Sequence, residues 1–135
     1  MSDYTVLRAA DAPDYTGDAP GAFIGYADPM GSEALGVNVR GLAPGQANVP
    51  PGHDESLGHS HDGIEKIYFV LEGEITVKVG DHVETLGPRD AIRIAPEAVR
   101  ATRNDSDAPA AMLMISHRMS DPRGQSHFHE GFWAG

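Results

Sequence analysis

His59 and His61, one residue apart in the stretch "GHSHDGIEKIYFVLEGE" at 58–74, are the side chains of this sequence best spaced for chemistry. In an extended segment, residues two apart point to the same side and lie about 6.6 Å apart along the chain. Both imidazoles can therefore face one cavity and converge on a cation at about 2.0–2.1 Å. Glu65 follows after a "DG" turn signal, and two imidazoles with one carboxylate form the facial set that binds iron or a similar divalent ion while leaving positions open. The same spacing also describes two hydrogen-bonded imidazoles at a strand edge that hold no metal.

Strand parity bears on Glu65. On an uninterrupted strand it shares a face with Ile67, Phe69 and Leu71, whereas Lys66 shares one with Tyr68 and Val70. Either Lys66 and Tyr68 line the cavity, or a bulge near Glu65 turns its carboxylate inward. An inward Lys66 repels a metal unless burial removes its charge or an acid pairs with it. Arg100 carries a parallel ambiguity. Facing inward, its planar fork suits a carboxylate, phosphate or enolate; at a strand end it would pair with Asp105 or Asp107. Lys66, Tyr68 and Arg100 are thus the candidates for handling charge or protons.

Other histidines carry weaker expectations. His53 lies in a loop and reads as solvated. His127 and His129 repeat the spacing beside Glu130, but Phe128, Phe132 and Trp133 in the same tail favour anchoring by apolar burial over metal binding. His82 and His117 read as surface residues. Met112 and Met114 read as packing residues in a strand that is apolar on both faces.

The elements that must position these groups are short strands. Strand-like runs at 22–27, 34–42, 59–61, 65–72, 74–79, 82–86, 91–95, 98–103 and 110–117 alternate with turn signals such as Gly73, Gly80 with Asp81, and Gly87 with Pro88. In 34–42, Leu35, Val37 and Val39 alternate with Gly36, Asn38 and Arg40. Sixteen Gly and ten Pro disfavour long helices. Several short strands at near-regular spacing predict an antiparallel sandwich or barrel. Residues 1–20 read as a flexible arm with one short strand near 5–8, 21–118 as the barrel, 43–58 within it as a surface loop, and 119–135 as a tail packing on the barrel or on a partner.

The stretch from His59 to Gly73, with "EITVKVGDHVETLGPRDAIRIAPEAVRATRND" after it, resembles the cupin superfamily over roughly residues 34–117. The family's first motif runs HxH, three or four residues, Glu, six residues, Gly; its second runs Gly, five residues, PxG, two residues, His, three residues, Asn. His59, His61 and Gly73 stand at matching positions, as do Pro96 and Asn104. Lys66 stands where the family's glutamate is expected, Ala98 replaces a glycine, and Arg100 stands where the fourth ligand, a histidine, is expected. The resemblance implies an all-β antiparallel cupin barrel (a double-stranded β-helix or jelly roll) with a pocket in its mouth and a homodimeric habit. It also implies one divalent transition metal, Fe, Mn, Ni or Zn, held by the motif histidines with Glu65 as the third ligand. Oxygenase, isomerase or cyclase chemistry on a small acidic or enolisable molecule would follow. The departures support a rival: a metal-free binding or sensing protein in which Lys66 and Arg100 clamp an anion.

Bulk properties narrow the field. A chain of 135 residues forms one core. Without cysteine it has no disulfide, thiolate ligand or cysteine nucleophile. A formal net charge of -10 repels nucleic acid and anionic membranes. No basic, apolar leader opens the sequence and no run approaches a membrane span, so a cytoplasmic protein is expected. Phosphate-cradling and nucleophile-elbow motifs are absent.

Overall fold

The computed structural model describes residues 3–50, 53–118 and 122–133. Ten strands form two five-stranded antiparallel sheets: β1 (Ala22–Gly25), β2 (Leu35–Leu42), β3 (Gly58–His61), β4 (Lys66–Glu72), β5 (Ile75–Val79), β6 (His82–Leu86), β7 (Ala91–Ile94), β8 (Arg100–Arg103), β9 (Ala110–His117) and β10 (Ser126–His129). The first sheet runs β1-β2-β9-β4-β7 and the second β10-β3-β8-β5-β6. This is the antiparallel all-β architecture that the turn-punctuated sequence predicts, in the jelly-roll form that the family resemblance implies. Among the described residues no helix is long and apolar enough to cross a membrane.

Alternation places side chains between the sheets. Leu42, Tyr68, Val70, Ile94, Ala110, Met112 and Met114 from the first sheet meet Ile75 and Val77 from the second. Each large apolar side chain so buried contributes roughly 1.5–3 kcal/mol. Gly73 turns β4 into β5 at φ 70°, and a Cβ there would stand 2.5 Å from the Pro109 carbonyl oxygen. That motif glycine is therefore required twice, by conformation and by space. Asn104, fully buried, donates to the carbonyls of Leu42 (3.1 Å) and Ala108 (2.7 Å) and accepts from the Ser106 N–H, tying the β8–β9 connection to the end of β2.

One expectation is corrected, and two choices that the residues left open are resolved. No strand forms at 5–8; the first described regular element is a single 3-10 turn at Ala9–Asp11, and the arm joins the barrel only later, through a bridge between Asp14 and Ile24. The irregularity in β4 falls between Val70 and Glu72, far from Glu65. In β2 the polar set faces inward: Asn38 and Arg40 pair across to Met114 and Met112 of β9, while Val37 and Val39 lie on the outer face with Ile115 and Leu113. Burial of Arg40 is sustained by its own bonds, Nε to Asn48 Oδ1 (2.9 Å) and Nη1 to the carbonyls of Ala22 and Gly41 (3.1 and 3.2 Å).

Candidate functional site

β3 brings the two histidines to one face. His59 is half-buried and His61 is 8% exposed; their rings stand 5.1 Å apart in an edge-to-face arrangement. β10, an edge strand built by the tail, pairs antiparallel with β3 so that Phe128 sits opposite His59 and Ser126 opposite His61. A hydrogen bond of 2.9 Å joins His61 Nδ1 to Ser126 Oγ. Opposite this wall, β4 presents Lys66 and Tyr68, with Asn38 and Arg40 of β2 and Met114 of β9 beside them. Together these enclose a cavity of about 430 Å³, closed at the rim by Tyr15, Phe23, Val49 and Pro50.

Lys66 and Tyr68 thus face the hollow, as parity allowed. Glu65 does not: it is exposed on the outer face and ion-paired with Arg93 of β7. The expected third ligand is therefore separated from the histidines by the thickness of the sheet. Arg100 lies in register with His59 on β8, 0% exposed, beneath the cavity rather than on its wall. Its Nη1 donates to the Ala98 carbonyl (3.1 Å), while Nε and Nη2 make no well-formed hydrogen bond among the described residues and the guanidinium acts on the Tyr68 hydroxyl beside it. The surface pairing considered for Arg100 belongs instead to Arg103, which reaches Asp105 at 2.6 Å.

The tail histidines face away from the cavity. His127 Nε2 meets Asp62 Oδ2 at 2.9 Å and His129 Nε2 meets Ser60 Oγ at 3.0 Å. Their role is to hold β10 against β3. Beyond them Phe132 covers Gly58 and receives Lys78 at 4.6 Å, and Trp133 stacks with Arg103 at 3.8 Å. His53 is exposed, with its ring 5.3 Å from Phe128; His82 and His117 are exposed as well.

Electrostatics follow from this burial. Desolvation first, then the charge on Arg100, pushes His59 from 6.5 down to about 3. Desolvation and then Lys66 and Arg100 do the same to His61. Both imidazoles are neutral at physiological pH, each able to donate one N–H. Burial, with Arg100 behind it, lowers the Lys66 ammonium to about 8. Burial raises Tyr68 above the usual phenol range against the pull of Arg100.

A divalent cation does not suit this donor set. Among the described residues no three His, Asp or Glu side chains gather where a metal could be held. Nor does any described carboxylate form an ion pair with Arg40, Lys66 or Arg100, and every described Asp and Glu is exposed. On a chain of net charge -10, the interior is the positive region.

Sequence reasoning missed Arg40, Phe23, Asn48 and Ser126. For Arg40 a signal existed, since β2 alternates polar with apolar and only the choice of inner face was open. For Ser126 none did, because a tail's pairing partner is not written in its own residues.

Residues 45–116 match the cupin domain family, over half of the chain. No curated protein matches the sequence. Among solved structures, a protein from Thermus thermophilus superposes with a TM-score of 0.64 at 29% identity, covering 83% of this chain and 95% of that one. A cupin protein from Bacteroides fragilis gives 0.68 at 25% identity, covering 90% and 89%. A sugar phosphate isomerase of the cupin superfamily from Silicibacter pomeroyi gives 0.70 at 18% identity, covering 93% and 92%, a likeness of fold alone. With the two facing sheets, the histidine pair on β3 and the family match in agreement, the chain belongs to the cupin domain family.

Proposed function

We propose that this cupin binds a small acidic organic molecule in its barrel mouth, the anion meeting the Lys66 ammonium and accepting hydrogen bonds from the neutral imidazoles of His59 and His61. The observation that carries the reading is the interior cation cluster of Arg40, Lys66 and Arg100, with which no described carboxylate forms an ion pair, Asp14 acting on Arg40 only through its field. Unpaired charges taken out of water cost several kcal/mol each, and an arriving anion offsets that cost. Arg100 acts through its field from below, without touching the ligand, so the clamp is Lys66 with the histidines rather than Lys66 with Arg100.

Two experiments bear on this directly. Ligand affinity should be unchanged by a strong chelator, because no step requires a metal. Lys66→Met should weaken an acidic ligand by about 1.5–3 kcal/mol, the size of a charged hydrogen bond. Chelator-sensitive binding, or a Lys66→Met variant with unaltered affinity, would refute the reading.

A second reading is favoured by the placement of Lys66 beside Tyr68 in the hollow, where burial lowers its ammonium to about 8. An ammonium so close to neutrality can give and recover a proton, which would let the same pocket isomerise an enolisable acid. Loss of exchange of the acidic C–H with solvent deuterium in Lys66→Met, with exchange present in the parent, would identify it. Association into a homodimer forms part of the proposal, supported by Val37, Val39, Ile67, Phe69, Leu113 and Ile115 on the outer face of the first sheet.

A further inference from the structure

The pocket offers one cation free to pair with a ligand and a broad apolar surface beside it. Of its two lining cations, Arg40 is 3% exposed and already commits Nε to Asn48 and Nη1 to two carbonyls. Lys66 has no such commitment among the described residues. Lys66 is thus the lining cation with N–H groups free to meet a ligand: one carboxylate pairs with it directly, whereas a second negative charge would meet only the fields of Arg40 and Arg100.

Much of the remaining wall is apolar, with Asn38 and Tyr68 as polar interruptions. Phe23, Val49, Pro50, Met114 and Phe128 line the hollow, and Asn48 is engaged by Arg40 and by a 3.8 Å contact with Met114 Sδ. Phe128 is the informative residue. It stands 50% exposed, held at the rim by strand pairing with His59 rather than by burial. A large ring kept half in water at a pocket entrance gains apolar contact when a ligand's body covers it. A polyol body could hydrogen-bond Asn38 or Tyr68, but against Phe23, Val49, Pro50, Met114 and Phe128 its hydroxyls would lose water with nothing to replace it.

Building on the anion-binding reading above, we infer that the ligand is a monocarboxylic acid with an apolar ring or branched hydrocarbon body, its carboxylate at Lys66 and its body against Phe23 and Phe128. The cavity of about 430 Å³ accommodates a ring with a short side chain. Sugar phosphates and small dicarboxylates are poor matches on both charge and surface.

Calorimetric titration of the full chain with phenylacetate, its neutral analogue 2-phenylethanol, and glucose 6-phosphate tests this. Phenylacetate should bind about tenfold or more tighter than either. Phe128→Ser, at an exposed position that tolerates the change, should weaken phenylacetate about tenfold while leaving the thermal unfolding midpoint unchanged. Glucose 6-phosphate binding as tightly as phenylacetate would overturn the ligand class yet leave anion binding intact. Binding of 2-phenylethanol equal to that of phenylacetate would overturn the anion reading itself, and no binding by any of the three would overturn both.

Discussion

Arg100 is buried away from water and pairs with no described carboxylate, the Tyr68 hydroxyl being its polar neighbour. Two of its N–H-bearing nitrogens make no well-formed hydrogen bond, and its neighbour Thr102 also has a buried hydroxyl unpaired among the described residues. Holding an ion out of water without a counter-charge costs several kcal/mol, a cost that a hydrophobe of similar length does not carry. Arg100→Met is therefore expected to melt at the same or a higher temperature than the parent, by calorimetry, and to bind an acidic ligand more weakly. A sharply lower melting temperature would mean that Arg100 is structural. Lys66 makes the second expectation at this scale. Its value near 8 means that the ammonium is lost as pH rises past 8, and a bound anion moves that loss somewhat higher. Affinity for a carboxylate should be flat from about pH 5 to 7, because His59 and His61 at about 3 remain neutral throughout, and should fall from about pH 8 upward. A fall centred near pH 6.5 would instead report histidines that charge normally.

At the scale of elements, the site is an agreement among strands. β3 supplies the histidines, β4 the lysine and tyrosine, β2 and β9 the floor, and β10 the rim. β10 depends on a glycine in its partner: a Cβ on Gly58 would stand 2.6 Å from the Phe132 ring. Gly58→Ala should therefore loosen the tail while β4 and β9 hold, increasing amide exchange at 126–129 without altering exchange at 110–117. Unchanged protection in the tail would show that Phe132 moves aside freely. Strand positions and turn chemistry were readable from residues alone, since Gly73, Gly80 and Gly87 mark where the chain reverses. Which face turns inward was not readable for β2, whose aliphatic residues lie outside and whose arginine lies inside. Alternation defines two faces but names neither as the core when the outer one is covered too.

For the whole molecule, that inversion is itself informative. β2, β4 and β9 carry aliphatic residues on the outer face, and Ile67 and Leu71 remain 40% and 45% exposed. A contiguous patch of this kind on a free monomer is unusual and is covered by a second copy in many small β-proteins. Sedimentation at low micromolar concentration should show a dimer, and Ile67→Glu, which places a carboxylate in the patch, should shift it to monomer. A parent chain that sediments as a monomer would refute this. The charge distribution works at the same scale. With every described carboxylate at the surface and Arg40, Lys66 and Arg100 within, an anionic ligand is repelled by the exterior and stabilised only inside the barrel. Such a field favours selectivity over rapid capture.

The amino-acid sequence alone determined that this chain is a β-protein of the cupin type with His59 and His61 on one face. Period-two alternation, turn residues and motif spacing are local properties, and local properties survive in a string of letters. Tertiary structure decided the chemistry. Glu65 and Lys66 are adjacent residues with opposite fates, one bound to Arg93 in water and one turned into the hollow, because a strand sends neighbours to opposite faces and the rest of the fold selects which face is dry.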